Sequence, residues 1–268
     1  MLRRSSPLFV LAFVALVAAC NNFDSPQSKG TPVGVVLMNA RTLASGYTTY
    51  PKVNFYAVGS ATFTFSNTNS DTCIVAPYDS TATATGLPTR IGAGALMRIT
   101  VEGDTDSLYK ATTTDLTYTP TTLRGFAFVP GDSVSFQIAG DGAGFPPLTG
   151  QAPTAEPFTI AAPTPPPAGQ AMSISWDAAS DLNAAMYISL LYDARGDGTL
   201  NTQVFCDFRD DGQGSVQAYL IPALTSSSVP FVMRAQRVRS ALLLTSGTGT
   251  LGYLNVISTF EVPTPVSP

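Results

Sequence analysis

The sequence predicts an all-β protein made of two antiparallel β-sandwich domains in series, and three observations predict it. Hydrophobic residues supply 44% of the chain and charged residues only 12%, so it can bury a core and is not a disordered polymer. Thr, Ser, Gly and Pro are abundant, whereas Glu, a residue of helix surfaces, occurs only at 102, 156 and 261. Apolar and polar residues alternate with period two in short stretches bounded by Gly- and Pro-containing turns, the pattern of half-buried antiparallel strands.

The N-terminus stands apart from that pattern. Arg3 and Arg4 precede an apolar run from Leu8 to Ala19. The run is about half the ~20 apolar residues that a membrane-spanning helix needs. A basic flank, a short apolar run and small residues at its end are the layout of a secretory signal, assigned here to residues 1–19. Val17-Ala18-Ala19-Cys20 resembles the lipobox of bacterial lipoproteins, with Val17 where leucine is commonest. The resemblance implies cleavage before Cys20, acylation of Cys20 and a place in the cell envelope. By the same resemblance, Asn21 is compatible with delivery to the outer membrane. Two or more acyl chains anchor stably, at ~0.8 kcal/mol per buried CH₂. Residues 20–30 are polar and aperiodic, and read as a flexible stalk.

The first sandwich is expected over 31–160. Met97, Ile99 and Val101 alternate with Arg98, Thr100 and Glu102; Val134, Phe136 and Ile138 alternate with Ser133, Ser135 and Gln137; Phe63 and Phe65 alternate with Thr62 and Thr64. Residues 161–169, rich in proline, read as a semi-rigid linker or sheet-edge crossover. The second sandwich is expected over 170–262, followed by a polar tail at 263–268. In it Met172, Ile174 and Trp176 alternate with Ser173 and Ser175, a partner strand begins at Tyr187, and a corner from Leu224 to Phe231 leads into another strand. These residues resemble a fibronectin type III or immunoglobulin-like sandwich. The resemblance departs at Phe231, where a tyrosine would supply the corner hydroxyl bond. Trp176 is expected in the core.

The missing residue types exclude whole chemistries. With no histidine there is no Ser-His-Asp or Cys-His pair and no His-ligated zinc. Of three cysteines, Cys20 is assigned to lipid, so no Cys₄ metal site can form. Loss of Arg3 and Arg4 leaves a mildly acidic chain without a basic cluster, which argues against nucleic-acid binding. The run from Gly247 to Gly252 fits G-x-G-x-x-G, but β-prone Tyr253-Leu254-Asn255-Val256-Ile257 follows instead of a helix, so it reads as a hairpin turn and no nucleotide is expected. Asp210-Asp211-Gly212 reads as a turn. Asp193 and Asp197, in a Gly-rich loop, are weak calcium candidates: Arg195 and Val204 occupy positions where an EF-hand needs ligands. A disulfide between Cys73 and Cys206 is conceivable in an exported protein, but each cysteine is placed inside a different core, so two buried thiols are favoured.

The reading is therefore a lipid-anchored, non-catalytic cell-envelope protein without cofactors, meeting the membrane through Cys20 and an unidentified protein or glycan through its sandwiches. The alternatives are a carbohydrate-binding or loosely calcium-dependent surface module and, further off, an Asp-based hydrolase.

Overall fold

The computed structural model of the chain describes residues 31–43, 46–58, 71–78, 89–101, 104–110, 112, 115–121, 126–142, 144–181, 183–225, 229, 231–245 and 251–263. The signal, Cys20 and the stalk, the strand expected through Phe63 and Phe65, residues 247–250 of the glycine turn and the end of the tail lie outside them.

The fold is all-β. Its strands are β1 (Thr31–Leu43), β2 (Gly46–Thr49), β3 (Lys52–Val58), β4 (Thr72–Pro77), β5 (Leu96–Val101), β6 (Asp104–Lys110), β7 (Tyr118–Pro120), β8 (Phe126–Ala127), β9 (Ser133–Ile138), β10 (Leu148–Pro153), β11 (Met172–Ser175), β12 (Ala185–Tyr192), β13 (Thr202–Arg209), β14 (Gln213–Val216), β15 (Phe231–Leu244) and β16 (Tyr253–Pro263). Two short 3₁₀ turns, Ala218–Leu220 and Pro222–Thr225, lead toward β15. Period two translates into burial as expected. Met97, Ile99 and Val101 of β5, Val134, Phe136 and Ile138 of β9, and Val204, Cys206 and Phe208 of β13 face inward, with more exposed residues between them.

One large mixed sheet runs in the order β10-β9-β5-β6-β7-β3-β1-β16-β15-β12-β13-β4, with β2 beside β1 and β8 beside β2. A second sheet pairs β11 with β14. The expectation of purely antiparallel pairing is corrected at the centre of the large sheet. There β1 and β16 lie parallel, in register from Val33↔Tyr253 to Ala40↔Phe260. Parallel pairing needs no hairpin and leaves no turn signal, so two strands from opposite ends of the chain can meet this way without a local trace. Gly34 permits the crowding at this seam, because a Cβ there would stand 2.6 Å from Leu254 Cδ1 and 2.7 Å from Phe55 Cε1.

The proline segment 161–169 turns back on itself. Ile160 is bridged to Trp176, Ala161 N–H donates to the Ser175 carbonyl, and a turn closes from Gln170 N–H to the Pro167 carbonyl. The buried apolar residues of β1, β3, β5 and β9 join those of β11, β12, β13 and β15 in one contiguous cluster. The far end of the large sheet returns to β15: Gly150 of β10 lies against Leu243, and Ala155 N–H donates to the buried Ser258 Oγ of β16 at 2.9 Å.

The expected pair of buried thiols is also corrected, because Cys73 and Cys206 form a disulfide. Cys206 is inside, as its strand face requires. Cys73, however, belongs to no separate core: β4 leaves the N-terminal strands and pairs antiparallel with β13, setting Cys73 directly opposite Cys206. Intact mass after alkylation of the denatured, unreduced protein should show no label at either cysteine, and two labels after reduction. The bridge closes 133 residues of sequence. Replacing both cysteines by alanine should therefore lower stability by about 2–5 kcal/mol in urea unfolding.

Candidate functional site

Taken from the residues upward, the carboxylates and cations of this chain gather mainly where they hold segments together. The Asp193 loop is the plainest case. Asp193 Oδ1 accepts from Arg195 N–H (2.9 Å), Gly196 N–H (2.8 Å) and Asn201 Nδ2 (2.8 Å), and its Oδ2 accepts from Gly198 N–H (2.6 Å). Desolvation acts to raise this carboxyl, but those donors together hold it below its ordinary range. Asp197 Oδ1 accepts from Thr199 N–H at 2.9 Å. The two calcium candidates thus spend their oxygens on the loop's own amides, an Asx-type closure of the β12–β13 connection. Among the described residues no three His, Cys, Asp or Glu side chains are grouped to hold a metal ion.

The main polar assembly centres on Arg237, a residue the sequence reading passed over. The side chains of Arg237 and Asp210 are each 1% exposed. Arg237 Nε donates to Asp210 Oδ2 at 2.5 Å, Nη2 donates to Asp210 Oδ1 at 3.1 Å and to the Asp177 carbonyl, and Nη1 donates to the Pro157 carbonyl at 2.9 Å. The Phe158 ring lies 5.1 Å from its guanidinium carbon. Trp176 lies between the sheets as expected, and its Nε1 donates to Asp210 Oδ1 at 2.7 Å. Its ring is therefore not an exposed platform. Two residues along β15, Arg239 donates to Glu156 Oε1 at 3.0 Å and to the Thr154 carbonyl at 3.2 Å, and its Nε lies 3.2 Å from Asp181 Oδ2. Partial burial acts to raise Glu156, but hydrogen bonds from Ser180 and the nearby Arg239 and Arg237 hold it low. Arg237 and Arg239 share a face of β15 otherwise occupied by apolar residues such as Met233 and Ala235. Charge at inward period-two positions was the signal available in the sequence.

The perturbed carboxylate lies on the other face of the sheet. A row crosses it from Thr72 through Asp207, Tyr187 and Gln236 to Glu261. Asp207 Oδ1 is buried and accepts no hydrogen bond. Burial, with the negative Asp71 adding to it, pushes its carboxyl up to about 6. Burial and the Asp207 charge push the Tyr187 hydroxyl up to about 12. Beside this row Asp71 accepts from Arg209 N–H at 2.9 Å and from its Nε at 2.7 Å. That ion pair borders a polar cleft of about 470 Å³ whose other wall includes Ser173, Ser175, Gln213 and Ser215. Hydroxyls and amides of this kind can hydrogen-bond a polar ligand. Among the described residues that line the cleft there is no histidine or lysine, and its carboxylates are Asp71 and Asp211.

No protein-family model matches the chain, and no curated protein matches it in sequence.

Removing Asp210 should be costly, because the buried Arg237 is left with only two carbonyls and the more distant Glu156, 3.9 Å away, to compensate its charge. Asp210→Ala should lose about 3–5 kcal/mol in chemical denaturation followed by Trp176 emission. An unchanged midpoint would show the pair to be dispensable. For Asp207, protonation is easier in the folded chain, at about 6, than at the ordinary 3.8. Its contribution is therefore fully present below pH 3.8 and is lost as pH rises through 6. Asp207→Asn should be more stable than the parent at pH 8, with the difference shrinking as pH falls from 6 to 4 in parallel urea titrations.

Proposed function

We propose that this chain is a lipid-anchored, non-catalytic protein of the cell envelope, acylated at Cys20 and placed at the outer membrane, that presents a rigid all-β body to a protein or glycan partner. The observation that carries the reading is Val17-Ala18-Ala19-Cys20 at the end of an apolar run too short to span a bilayer. The Cys73–Cys206 disulfide accords with it, since such bonds persist in exported rather than cytosolic proteins. In this reading the C-terminal half is an immunoglobulin-like or fibronectin type III-like sandwich. Strand order supports that: β13-β12-β15-β16 forms one layer, and β11-β14, extended by the Ile160–Trp176 bridge, forms the other. The N-terminal strands then form the first sandwich, joined to the second along β1 and β16.

The anchor is testable without knowing the partner. The mature protein should enter the detergent phase on Triton X-114 partitioning, and Cys20→Ser should stay aqueous or accumulate uncut. Identical partitioning of the two forms would remove the lipoprotein reading.

A further inference from the structure

The two layers of the C-terminal half are unequal in width. In the large sheet β4 lies beyond β13, whereas in the small sheet β14 pairs with β11 alone among the described residues. β14 lies over β13, because a Cβ on Gly214 would stand 2.8 Å from Phe208 Cδ2. The position beside β14 and over β4 is therefore an open slot one strand wide. Val75 shows it. Standing opposite Val204, it faces the same way as Val204 and Cys206, which are both 0% exposed, yet it is itself 47% exposed. Its exposure comes from the narrower second layer and not from a place on the outer face of the sheet.

The edge that borders the slot has backbone groups aimed into it. Trp176 N–H donates to the Gly212 carbonyl, and Ile174 stands opposite Gly214, so the even-numbered residues of β14 bond to β11. The N–H and C=O of Ser215 and the carbonyl of Gln213 then point the other way, into the slot. The cleft of about 470 Å³ runs along this edge, lined by Gly214, Ser215 and Gln217 and continuing to Asp71 and Arg209. The 3₁₀ turn Ala218–Leu220, which follows β14, lies beside β4 and carries the exposed Tyr219.

This geometry selects the occupant. A second copy pairing its own β14 here would bring its own β13 beneath that strand, where β4 already stands. The slot takes a single extended segment with no second layer under it, and such a segment offers alternate N–H and C=O groups to the edge. We infer that the slot between β14 and β4 is a strand-addition site for an extended segment of a partner protein. Its apolar residues turn toward Val75, and its hydroxyl or amide residues turn outward in line with the exposed Ser173, Ser175 and Ser215. The inference rests on the reading above for the existence of a partner and names that partner as a protein strand; it does not use the acyl anchor.

The probe is a short fluorescein-labelled peptide of alternating threonine and valine, titrated with the mature protein in detergent micelles and followed by anisotropy. Saturable binding is expected, and none by the same peptide with its amides N-methylated. Ser215→Pro removes the outward N–H while leaving the bonds to β11, and proline is tolerated on such an edge. Val75→Lys sets a charge under the added strand. Each should weaken binding roughly tenfold, with unchanged Trp176 emission as the check that the sandwich is intact. No saturable binding by the parent, or binding undiminished in either variant, would overturn the inference. Slow amide exchange at Ser215 in the free protein would also overturn it, by showing the edge to be filled by the chain itself. Self-association that Ser215→Pro abolishes would overturn it in favour of a second copy. Absence of detergent-phase partitioning would remove the anchor reading alone, because the titration does not need the acyl chains.

Discussion

A single guanidinium fixes how the sheets of the C-terminal half meet. Arg237 projects from β15 and binds the carboxylate that follows β13, the carbonyl that follows Trp176 and a carbonyl of the segment leading to the proline turn. A bidentate Arg–carboxylate pair adds directional specificity to the packing around it. Burying two charges is expensive, and a well-packed apolar substitute of the same volume could be equally stable. What the pair supplies is a set of shared bonds. With Asp210 also accepting the Trp176 indole N–H, the large ring, the turn after β13 and the central strand β15 share one geometry.

The second constraint is topological. The sheet's centre is the pairing of its first described strand with its last, and its edge strand β4 is carried across from the N-terminal half and bonded covalently to β13. Contacts of such sequence separation are entropically slow to form, since loop closure precedes any reward from pairing. The disulfide offsets part of that cost by restricting the unfolded chain. It is needed most on β4, where Ile74 and Val75 are both substantially exposed and little apolar burial holds the strand in place.

What could be read from the sequence was local. Period-two alternation identified the strands through Met97, Val134 and Met172 and the side each one buries, because burial of a strand face leaves its mark within six residues. Trp176 was placed inside for the same reason. The path between strands left no such mark. Nothing near Cys73 says that its strand pairs with residues more than a hundred positions on, so its thiol was assigned to the wrong neighbourhood. Asp210 reads as a turn former by composition and does sit in a turn, but its partner Arg237 is distant in sequence, so their pairing was invisible. Phe231 has no hydroxyl, and its cross-strand partner Tyr192 donates to the Leu220 carbonyl of the 3₁₀ segment at 3.4 Å, a link that only register reveals.

An open sheet of this length has two edges, and each is handled differently. Unpaired edge amides are templates for aggregation, so a soluble body has to blunt them. At one end β10 turns back over β15, with Gly150 allowing the approach of Leu243, so that this edge is partly covered by the protein's own packing. At the other end β4 is only six residues long, ends in Pro77, which has no N–H to offer, and begins beside the Asp71–Arg209 ion pair. Tyr78 N–H donates to the Asn201 carbonyl, so in an antiparallel ladder the outward-pointing amides belong to the alternate residues Cys73 and Val75. A bridged cysteine cannot leave the sheet to pair elsewhere. The disulfide therefore has a use beyond its contribution to stability: it keeps the most exposed apolar strand in a fixed, short and terminated edge.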